Sequence, residues 1–141
     1  MIVYVTRKEE FCAAHKLWNE AWPPEKNIEV FGACANPHWH GHNYTLFVTV
    51  KGKVNKETGF VIDVKKLKEI IHEKIISQVD HKNLNTEVWF MRNKITTTEN
   101  LCVAIWEVLE EELEKLGVHL HCIKICETER NIFEYYGEKD I

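Results

Sequence analysis

The chain has 141 residues, of which 45% are hydrophobic and 28% charged, with a formal net charge of −4. This acidic balance is not typical of a nucleic-acid-binding surface, and no segment approaches the ~20 apolar residues that cross a bilayer. The N-terminal residues lack the apolar stretch of a signal peptide. We therefore expect one folded domain over residues 1–141, cytoplasmic, with neither a nucleic acid nor a membrane as partner.

The first part of the chain predicts two strands that flank a long loop. Residues 2–15 alternate as a strand, and residues 42–54 alternate with His42 and Tyr44 on the covered face. Residues 18–39 contain all three prolines of the chain and show little periodicity, which predicts a long loop. Long loops in compact domains are usually functional or disordered.

Two helices follow in the predicted order. Asp63 is a typical N-cap residue, and the apolar spacing after it predicts a helix over residues 64–79. Thr96 and Glu99 match a capping box at the start of a second helix. The apolar spacing of this helix continues to a predicted stop at Gly117.

The last part of the chain predicts a hairpin of two strands, residues 119–128 and 131–137. The predicted element order is therefore β-β-α-α-β-β. This order predicts an α+β fold in which two helices cover one face of an antiparallel four-stranded sheet.

The segment CANPHWHGHNY, residues 34–44, gathers three histidines and a cysteine. His40 and His42 are two residues apart, so in a strand both imidazoles point to the same face. His15 ends the first strand on its covered face, and a hairpin between the two strands would bring it to His40 and His42. Three neutral imidazoles with one open position form the ligand arrangement of catalytic zinc.

Spacing alone leaves a metal site and an ordinary polar strand end both open. His119 and His121 repeat the two-residue spacing without a glycine between them, and we interpret them as ordinary strand residues. His38 is interpreted as a surface residue. The five cysteines are an odd number without a CxxC pair, which predicts reduced thiols rather than disulfides.

Several sequence motifs resemble the 6-pyruvoyl-tetrahydropterin synthase superfamily, which includes the 6-carboxy-tetrahydropterin synthases. In chain order they are FCAAH (11–15), FGACANPHWHGHNY (31–44), VDHKNLN (79–85), TTTENL (96–101) and CETERN (126–131). The resemblance implies a tunnelling fold (T-fold), whose β-β-α-α-β-β units join as trimers, with two trimers stacked into a homohexamer. The sites of such an assembly form where subunits meet.

The resemblance also implies roles for individual residues. The zinc ligands would be three histidines: His15, His40 and His42. The catalytic residues would be a base and two acid/base partners: Cys34, Asp80 and His81. The residues that bind the pterin would be a glutamate and two threonines: Glu127, Thr97 and Thr98. Asp80 and His81 of one chain would in this way serve Cys34 of a neighbour.

The residue types suit proton abstraction from a substrate held by zinc. A thiol has a pKa of ~8.5, which a nearby Zn²⁺ lowers towards neutral. A buried Asp80 would set the tautomer of His81, so that the imidazole can give or take a proton. Two structural alternatives stay open: Cys34 can close the zinc site as a fourth ligand, and Asp80 with His81 can form a simple loop turn.

The pterin-binding residues have structural alternatives as well. The Glu127 carboxylate can accept two hydrogen bonds from the edge of a pterin ring, or it can be a solvated strand residue. Its shared parity with Ile123 and Ile125 favours an inward orientation. Thr97 and Thr98 can bind substrate or serve only to cap a helix.

The substrate implied by the resemblance is 7,8-dihydroneopterin triphosphate. Five residues separate Cys34 from His40, which resembles the branch that eliminates triphosphate to give 6-pyruvoyl-tetrahydropterin. The alternative is a 6-carboxy-5,6,7,8-tetrahydropterin synthase that feeds queuosine and other 7-deazaguanines, whose spacing is commonly three residues. A further alternative is a T-fold protein that binds pterin without turnover.

Overall fold

The structure, a computed structural model, describes residues 1–140. Within these residues, a five-stranded sheet forms one layer of the fold. Its strands are β1 (Ile2–His15), β2 (His40–Lys53), β3 (Lys82–Asn83), β4 (His119–Cys126) and β5 (Ile132–Tyr135), in the spatial order β3-β1-β2-β4-β5. The α-helices are α1 (Pro24–Phe31), α2 (Val64–Ile71), α3 (Ser77–Val79) and α4 (Thr98–Glu114). The predicted α+β class is confirmed, and the four longer strands pair antiparallel.

The core lies between one face of the sheet and the helices α2 and α4. The buried face of β2 carries four large side chains: Tyr44, Leu46, Val48 and Val50. The helical layer covers them with fully buried leucines and isoleucines: Leu67, Ile71, Ile75, Leu101, Ile105 and Leu109. Burial of each such side chain is worth roughly 1.5–3 kcal/mol, so this layer holds both long helical segments on one face of the sheet, as predicted.

The pairing of β1 with β2 places the first histidine beside the other two. His15 lies directly opposite His40, and Ala13 lies opposite His42. Strand β2 begins at His40, two residues earlier than the predicted strand over 42–54, because the backbone pairing with β1 continues through Gly41.

The expectation of a structureless loop over residues 18–39 is wrong. Helix α1 lies within it, followed by a 3₁₀ turn, Gly32–Ala35. Proline fits the first turn of a helix, where its missing N–H is not needed, and Pro24 takes this place in α1. The buried Asn27 amide donates to the carbonyls of Asn19, Trp22 and Pro23, so local side-chain hydrogen bonds hold a helix that has no apolar stripe.

The expectation of a four-stranded sheet is also corrected, because β3 adds a fifth strand within the described residues. It has two residues and pairs parallel to Ala13 and Ala14 of β1 at the edge of the sheet. A strand of two residues shows no alternation, so the sequence pattern could not reveal it.

The helical segment after Asp63 agrees with the predicted bounds, 64–79. The Asp63 carboxylate accepts a hydrogen bond from the Lys65 amide at 2.9 Å, as an N-cap does. Between α2 and α3 the chain makes one π turn, His72–Ile76. The three pieces form one continuous helical path that ends beside β1.

The start of α4 differs from the prediction by one residue. Thr97, not Thr96, is the N-cap, and its hydroxyl accepts a hydrogen bond from the Asn100 amide at 3.2 Å. The Thr96 hydroxyl instead donates to the side-chain oxygen of Asn85. Gly117 follows the helix with a φ of 80°, which agrees with the predicted stop.

The closing hairpin is confirmed with shorter strands than predicted, since β4 ends at Cys126 and β5 runs over Ile132–Tyr135. Among the helices of residues 1–140, none has the length and apolar character needed to cross a membrane.

Candidate metal and catalytic site

Three imidazoles meet at the end of the β1–β2 hairpin. The ring centroids of His15 and His40 are 4.5 Å apart, those of His15 and His42 are 5.1 Å apart, and those of His40 and His42 are 5.0 Å apart. One nitrogen from each ring lies within 4.8 Å of the other two. Two donors at typical Zn–N distances of ~2.1 Å lie at most ~4.2 Å apart around one ion, so the three nitrogens are close to the arrangement that holds one metal ion among the rings.

The hydrogen bond of His15 fixes which of its nitrogens is free. His15 Nδ1 lies 2.7 Å from the Thr96 carbonyl oxygen, which can only accept, so Nδ1 carries the proton. The Nε2 atom then holds a lone pair, and it is buried without a partner among the described residues. Buried polar atoms rarely stay unpaired, and a metal ion would satisfy this one. A carbonyl behind the ring is also the usual orienting partner of a metal-bound histidine.

The environment favours the neutral form of His15 and His42, and metal binding requires neutral imidazoles. Burial is the main cause that lowers the pKa of His15 below its ordinary value, and the nearby His40 and His42 lower it further. Burial also lowers the pKa of His42, while the Glu127 carboxylate acts in the opposite direction. The donor chemistry therefore fits a zinc ion with three histidine ligands.

Gly41 between the two β2 histidines is required by the close approach of β1. A Cβ atom at this position would lie 3.3 Å from the carbonyl oxygen of Ala13. That is tighter than ordinary van der Waals contact with backbone, which yields little. The small residue therefore lets the hairpin close with its histidines side by side.

A glutamate and a threonine lie beside the histidine cluster. Glu127 follows the end of β4, and one of its carboxylate oxygens accepts a hydrogen bond from the Thr98 hydroxyl at 2.5 Å. The other oxygen is 4.0 Å from His42 Nε2. The Glu127 side chain is 19% exposed, so it points inward, as its parity predicts. Thr97 next to Thr98 uses its hydroxyl to cap α4.

The Tyr44 hydroxyl is buried in the same region. Burial and the nearby Glu127 carboxylate raise the pKa of Tyr44 well above its ordinary range. The oxygen has no hydrogen-bond partner among the described residues. From the sequence, Tyr44 is predicted only as a covered strand residue.

Cys34 lies on the 3₁₀ turn after α1 and is tied to the end of β1. Its carbonyl accepts a hydrogen bond from the Leu17 amide at 2.8 Å, two residues beyond His15. The thiol is half-buried and free. Within residues 1–140 the cluster of possible metal donors contains the three histidines without Cys34, so the geometry gives no support to Cys34 as a fourth ligand.

Asp80 and His81 lie away from this cluster, at the β1 edge of the sheet. Asp80 Oδ1 accepts a hydrogen bond from the Cys12 amide and lies 3.0 Å from His81 Nδ1. The Cys12 amide is the main cause that lowers the pKa of Asp80. The Asp80 side chain is 36% exposed and that of His81 81% exposed. The expectation of a buried Asp80 is therefore wrong for the single chain, because none of residues 1–140 covers the Asp80 and His81 side chains fully.

The remaining histidines of the sequence motifs stay outside the cluster. His119 is exposed at the start of β4, and His121 stacks its ring edge-on against Tyr4 at 4.6 Å. His38 is exposed, as predicted. Thr96, by contrast, was interpreted only as a cap, and its carbonyl orients His15. No sequence signal distinguishes the three successive threonines of TTTEN.

The antiparallel sheet, the helices on one face and the histidine cluster together define a protein of the T-fold class. The chain belongs to the 6-pyruvoyl tetrahydropterin synthase family, whose model matches residues 4–138, and it is a lyase. It is 43% identical over 136 residues to a protein of Drosophila melanogaster named 6-pyruvoyl tetrahydrobiopterin synthase, covering 96% of this chain and 80% of that protein.

Two further relatives are informative, one about the fold and the other about the alternative reaction product. The structure of Caenorhabditis elegans 6-pyruvoyl tetrahydropterin synthase matches with a TM-score of 0.91 at 36% identity, covering 98% of this chain and 97% of that one. A protein of Archaeoglobus fulgidus named putative 6-carboxy-5,6,7,8-tetrahydropterin synthase is 36% identical over only 90 residues, 64% of this chain and 69% of that protein. The predicted T-fold is thereby confirmed, with five strands in place of four.

Proposed function

We propose that this lyase acts on 7,8-dihydroneopterin triphosphate, eliminates triphosphate and yields 6-pyruvoyl-tetrahydropterin, with Zn²⁺ as its cofactor. The observation that carries the proposal is the unpaired Nε2 of buried His15, in a cluster of three imidazoles, beside the Glu127–Thr98 pair. These features supply a metal position and a pterin position next to each other. The extent of the similarity to the Drosophila protein supports the pyruvoyl product.

The proposed binding of the pterin uses the geometry of Glu127. A carboxylate can accept hydrogen bonds from the 2-amino group and the adjacent ring N–H of a pterin. The Thr98 hydroxyl holds one of the Glu127 oxygens and so fixes the orientation of the carboxylate. The side chain of the bound pterin would then extend past His42 to the histidine cluster.

The proposed chemistry divides between the metal and the residues around it. Zinc held by His15, His40 and His42 would act as a Lewis acid that acidifies the substrate side chain. The Cys34 thiolate would remove a proton from a side-chain carbon, and general base catalysis of this kind is worth ~10²–10⁴-fold.

Asp80 and His81 would supply the matching acid and base. The Asp80 carboxylate oxygen lies 3.0 Å from His81 Nδ1, which favours a proton on Nδ1 and would leave His81 Nε2 free to give or take a proton. Because the pair is exposed at the β1 edge and separate from Cys34, we propose that it serves the Cys34 of a neighbouring subunit. The assembly would be a homohexamer of two stacked trimers, joined through the open edges of the sheets.

The 6-carboxy-tetrahydropterin product is the second candidate, since it needs the same substrate, zinc and base. The printed name of the Archaeoglobus relative supports it, over a smaller part of the chain. The two reactions differ in whether the substrate side chain is retained or loses a two-carbon fragment.

The test is product analysis by mass spectrometry after incubation of zinc-loaded protein with dihydroneopterin triphosphate. The proposal expects 6-pyruvoyl-tetrahydropterin and one released triphosphate per turnover. A 6-carboxy product would select the second candidate, and absence of turnover in the zinc-loaded hexamer would contradict both. Light scattering of the same sample tests the assembly, since a monomer at micromolar concentration would contradict the shared site.

A further inference from the structure

A recess of about 660 Å³ opens beside the histidine cluster and has no role in the proposed chemistry. Lys16 and Trp39 line it, and they are the chain neighbours of His15 and His40. The remaining wall carries amide, indole and hydroxyl donors together with a second lysine: Trp18, Asn19, Asn85, Thr86, Asn93 and Lys94. Glu20 is the only carboxylate among the lining residues.

The Lys16 ammonium has an unusual environment. It lies 4.4 Å from the ring centroid of Trp18 and 5.8 Å from that of Trp39. Within residues 1–140 it forms no ion pair, whereas Lys94 lies 3.9 Å from Glu107. Two indole faces hold an ammonium through cation–π attraction and leave its N–H donors without an anion. The recess therefore presents a positioned positive charge with no counter-ion from the chain.

Hydrogen bonds hold the backbone of Lys16 firmly in place. The Lys16 amide donates to the side-chain oxygen of Asn85, and the Lys16 carbonyl accepts from the Asn85 side-chain amide and the Thr96 hydroxyl. Thr96 also accepts the hydrogen bond from His15 Nδ1. One network thus fixes the lysine and the neighbouring candidate metal ligand relative to each other.

Trp39 adds backbone strain to this arrangement. Its φ of 67° lies in the left-handed region, which is rare and costly for a bulky residue. Such strain persists only where the surrounding structure imposes it, and it is concentrated at functional sites. Here it places the indole beside Lys16, one residue before His40. Neither this indole N–H nor that of Trp18 has an acceptor within residues 1–140, whereas Trp106 donates to Glu110.

The recess and the pterin position lie on opposite sides of the histidine cluster. Lys16 follows the end of β1, and Glu127 follows the end of β4. Strand β2, which carries His40 and His42, lies between β1 and β4 in the sheet. A ligand whose ring rests on Glu127 and whose side chain crosses the cluster would therefore point its far end toward the recess.

We propose that this recess binds the triphosphate group of the substrate, with Lys16 as the residue that holds it. The inference rests on the proposed function, in which a pterin ring and a polyphosphate stand at the two ends of one molecule. An ammonium forms charge-assisted hydrogen bonds with phosphate oxygens, and the free indole and amide donors supply neutral ones. The network that ties Lys16 to His15 would hold the phosphate end at a fixed distance from the cluster.

The test compares Lys16→Gln with Lys26→Gln. Lys26 is a matched control, because its ammonium lies 4.2 Å from the ring of Trp22 in the same kind of contact, yet it does not line the recess. Calorimetry measures the binding of inorganic tripolyphosphate to the zinc-loaded wild type and to both variants. Tripolyphosphate also chelates zinc, but variants with equal metal content share that contribution, so their difference reports the lysine.

Lys16→Gln is expected to bind tripolyphosphate about 10- to 100-fold more weakly, which corresponds to one lost charged hydrogen bond. The KM for dihydroneopterin triphosphate should rise by a similar factor, while the binding of unphosphorylated dihydroneopterin stays within about twofold. Lys26→Gln should behave as the wild type, and equal melting temperatures would show that both variants fold.

Equal tripolyphosphate binding by Lys16→Gln and the wild type would overturn the inference, and so would equal losses in both variants, since these would reflect general charge. The outcome is separable from the proposed function. If the wild type is active but its tripolyphosphate binding does not depend on Lys16, the phosphate site is contradicted and the proposed reaction stands. If the wild type shows no turnover but its tripolyphosphate binding depends on Lys16, the phosphate site stands and the proposed reaction is contradicted.

Discussion

Two histidine pairs with the same two-residue spacing lie on one sheet, and only one of them belongs to a metal-competent cluster. His40 and His42 lie at the end of the β1–β2 pairing, where His15 joins them. His119 is exposed, and the His121 ring stacks against aromatic rings. The difference shows that spacing alone does not define such a site. A third donor from another strand and an unsatisfied buried nitrogen define it.

The largest expected effect separates the two pairs directly. His40→Ala should lose zinc and all measurable turnover, because two imidazoles do not hold the ion in place of three. His119→Ala should keep both, since its ring is exposed and outside the cluster. Metal analysis and product formation measure the two properties. Loss of zinc in His119→Ala would show that the wrong pair has been assigned.

The next effect concerns the thiols near each pair. Cys34→Ala should retain zinc and lose ~10²–10⁴-fold in kcat, the range for removal of a general base. Cys122→Ala, a buried cysteine next to His121, should keep its kcat. Zinc content, melting temperature and steady-state kinetics give the answer. Lost zinc together with a lowered melting temperature in Cys34→Ala would instead make Cys34 a structural ligand and leave His81 as the base.

A smaller effect is expected from the residues between the paired histidines. Gly41→Ala places a methyl group 3.3 Å from the Ala13 carbonyl oxygen, and the resulting shift should weaken zinc binding on the order of tenfold. Leu120→Ala should leave zinc affinity unchanged and lower the free energy of unfolding by ~2 kcal/mol, as buried leucines do. Metal titration and urea unfolding would detect a reversal of these two results.

The smallest expected effect is a pH dependence of the metal-free protein. The pKa of His15 is lowered in the folded state, chiefly by burial, so between that value and ~6.5 the unfolded chain binds the extra proton. The free energy of unfolding should therefore fall as the pH drops through this window, by at most ~1.4 kcal/mol per pH unit for one proton. Urea unfolding at several pH values measures the slope.

Comparison of variants isolates the contribution of His15, because the lowered pKa of His42 acts in the same window and those of Glu9 and Asp80 act in the same direction at lower pH. His15→Asn, whose side-chain amide can still donate to Thr96, should flatten the slope. His119→Ala should leave it unchanged. An unchanged slope in His15→Asn would mean that the buried ring does not resist protonation.

The hairpin that carries the cluster was predictable because each strand shows its covered face in its own alternation of apolar and polar residues. Alternation along residues 42–54 fixed which side chains are covered, and the parity of His15 fixed its face. The pairing of two strands then needs no further information than their shared apolar face. The same reasoning found the inward orientation of Glu127.

The other features depend on hydrogen bonds, element lengths and neighbouring chains that the hydrophobic pattern does not record. Helix α1 is held by the Asn27 amide rather than by an apolar stripe, and β3 has too few residues to show a pattern. Thr97 caps α4 in place of Thr96, because the Thr96 hydroxyl donates to the Lys16 carbonyl and to the Asn85 side-chain oxygen. The exposure of Asp80 depends on whether another chain covers it, which no pattern within one sequence records.

The π turn at His72–Ile76 keeps the apolar side chains of one helical segment on the same face. Four fully buried residues, Leu67, Ile71, Ile75 and Val79, follow one another at intervals of four. In a regular α-helix each such step overshoots a full turn by about 40°, so the fourth residue would rotate out of the core. The wider π turn absorbs this drift and returns Val79 to the core. The π turn therefore sets the direction in which the next residue, Asp80, leaves the helix to meet the Cys12 amide.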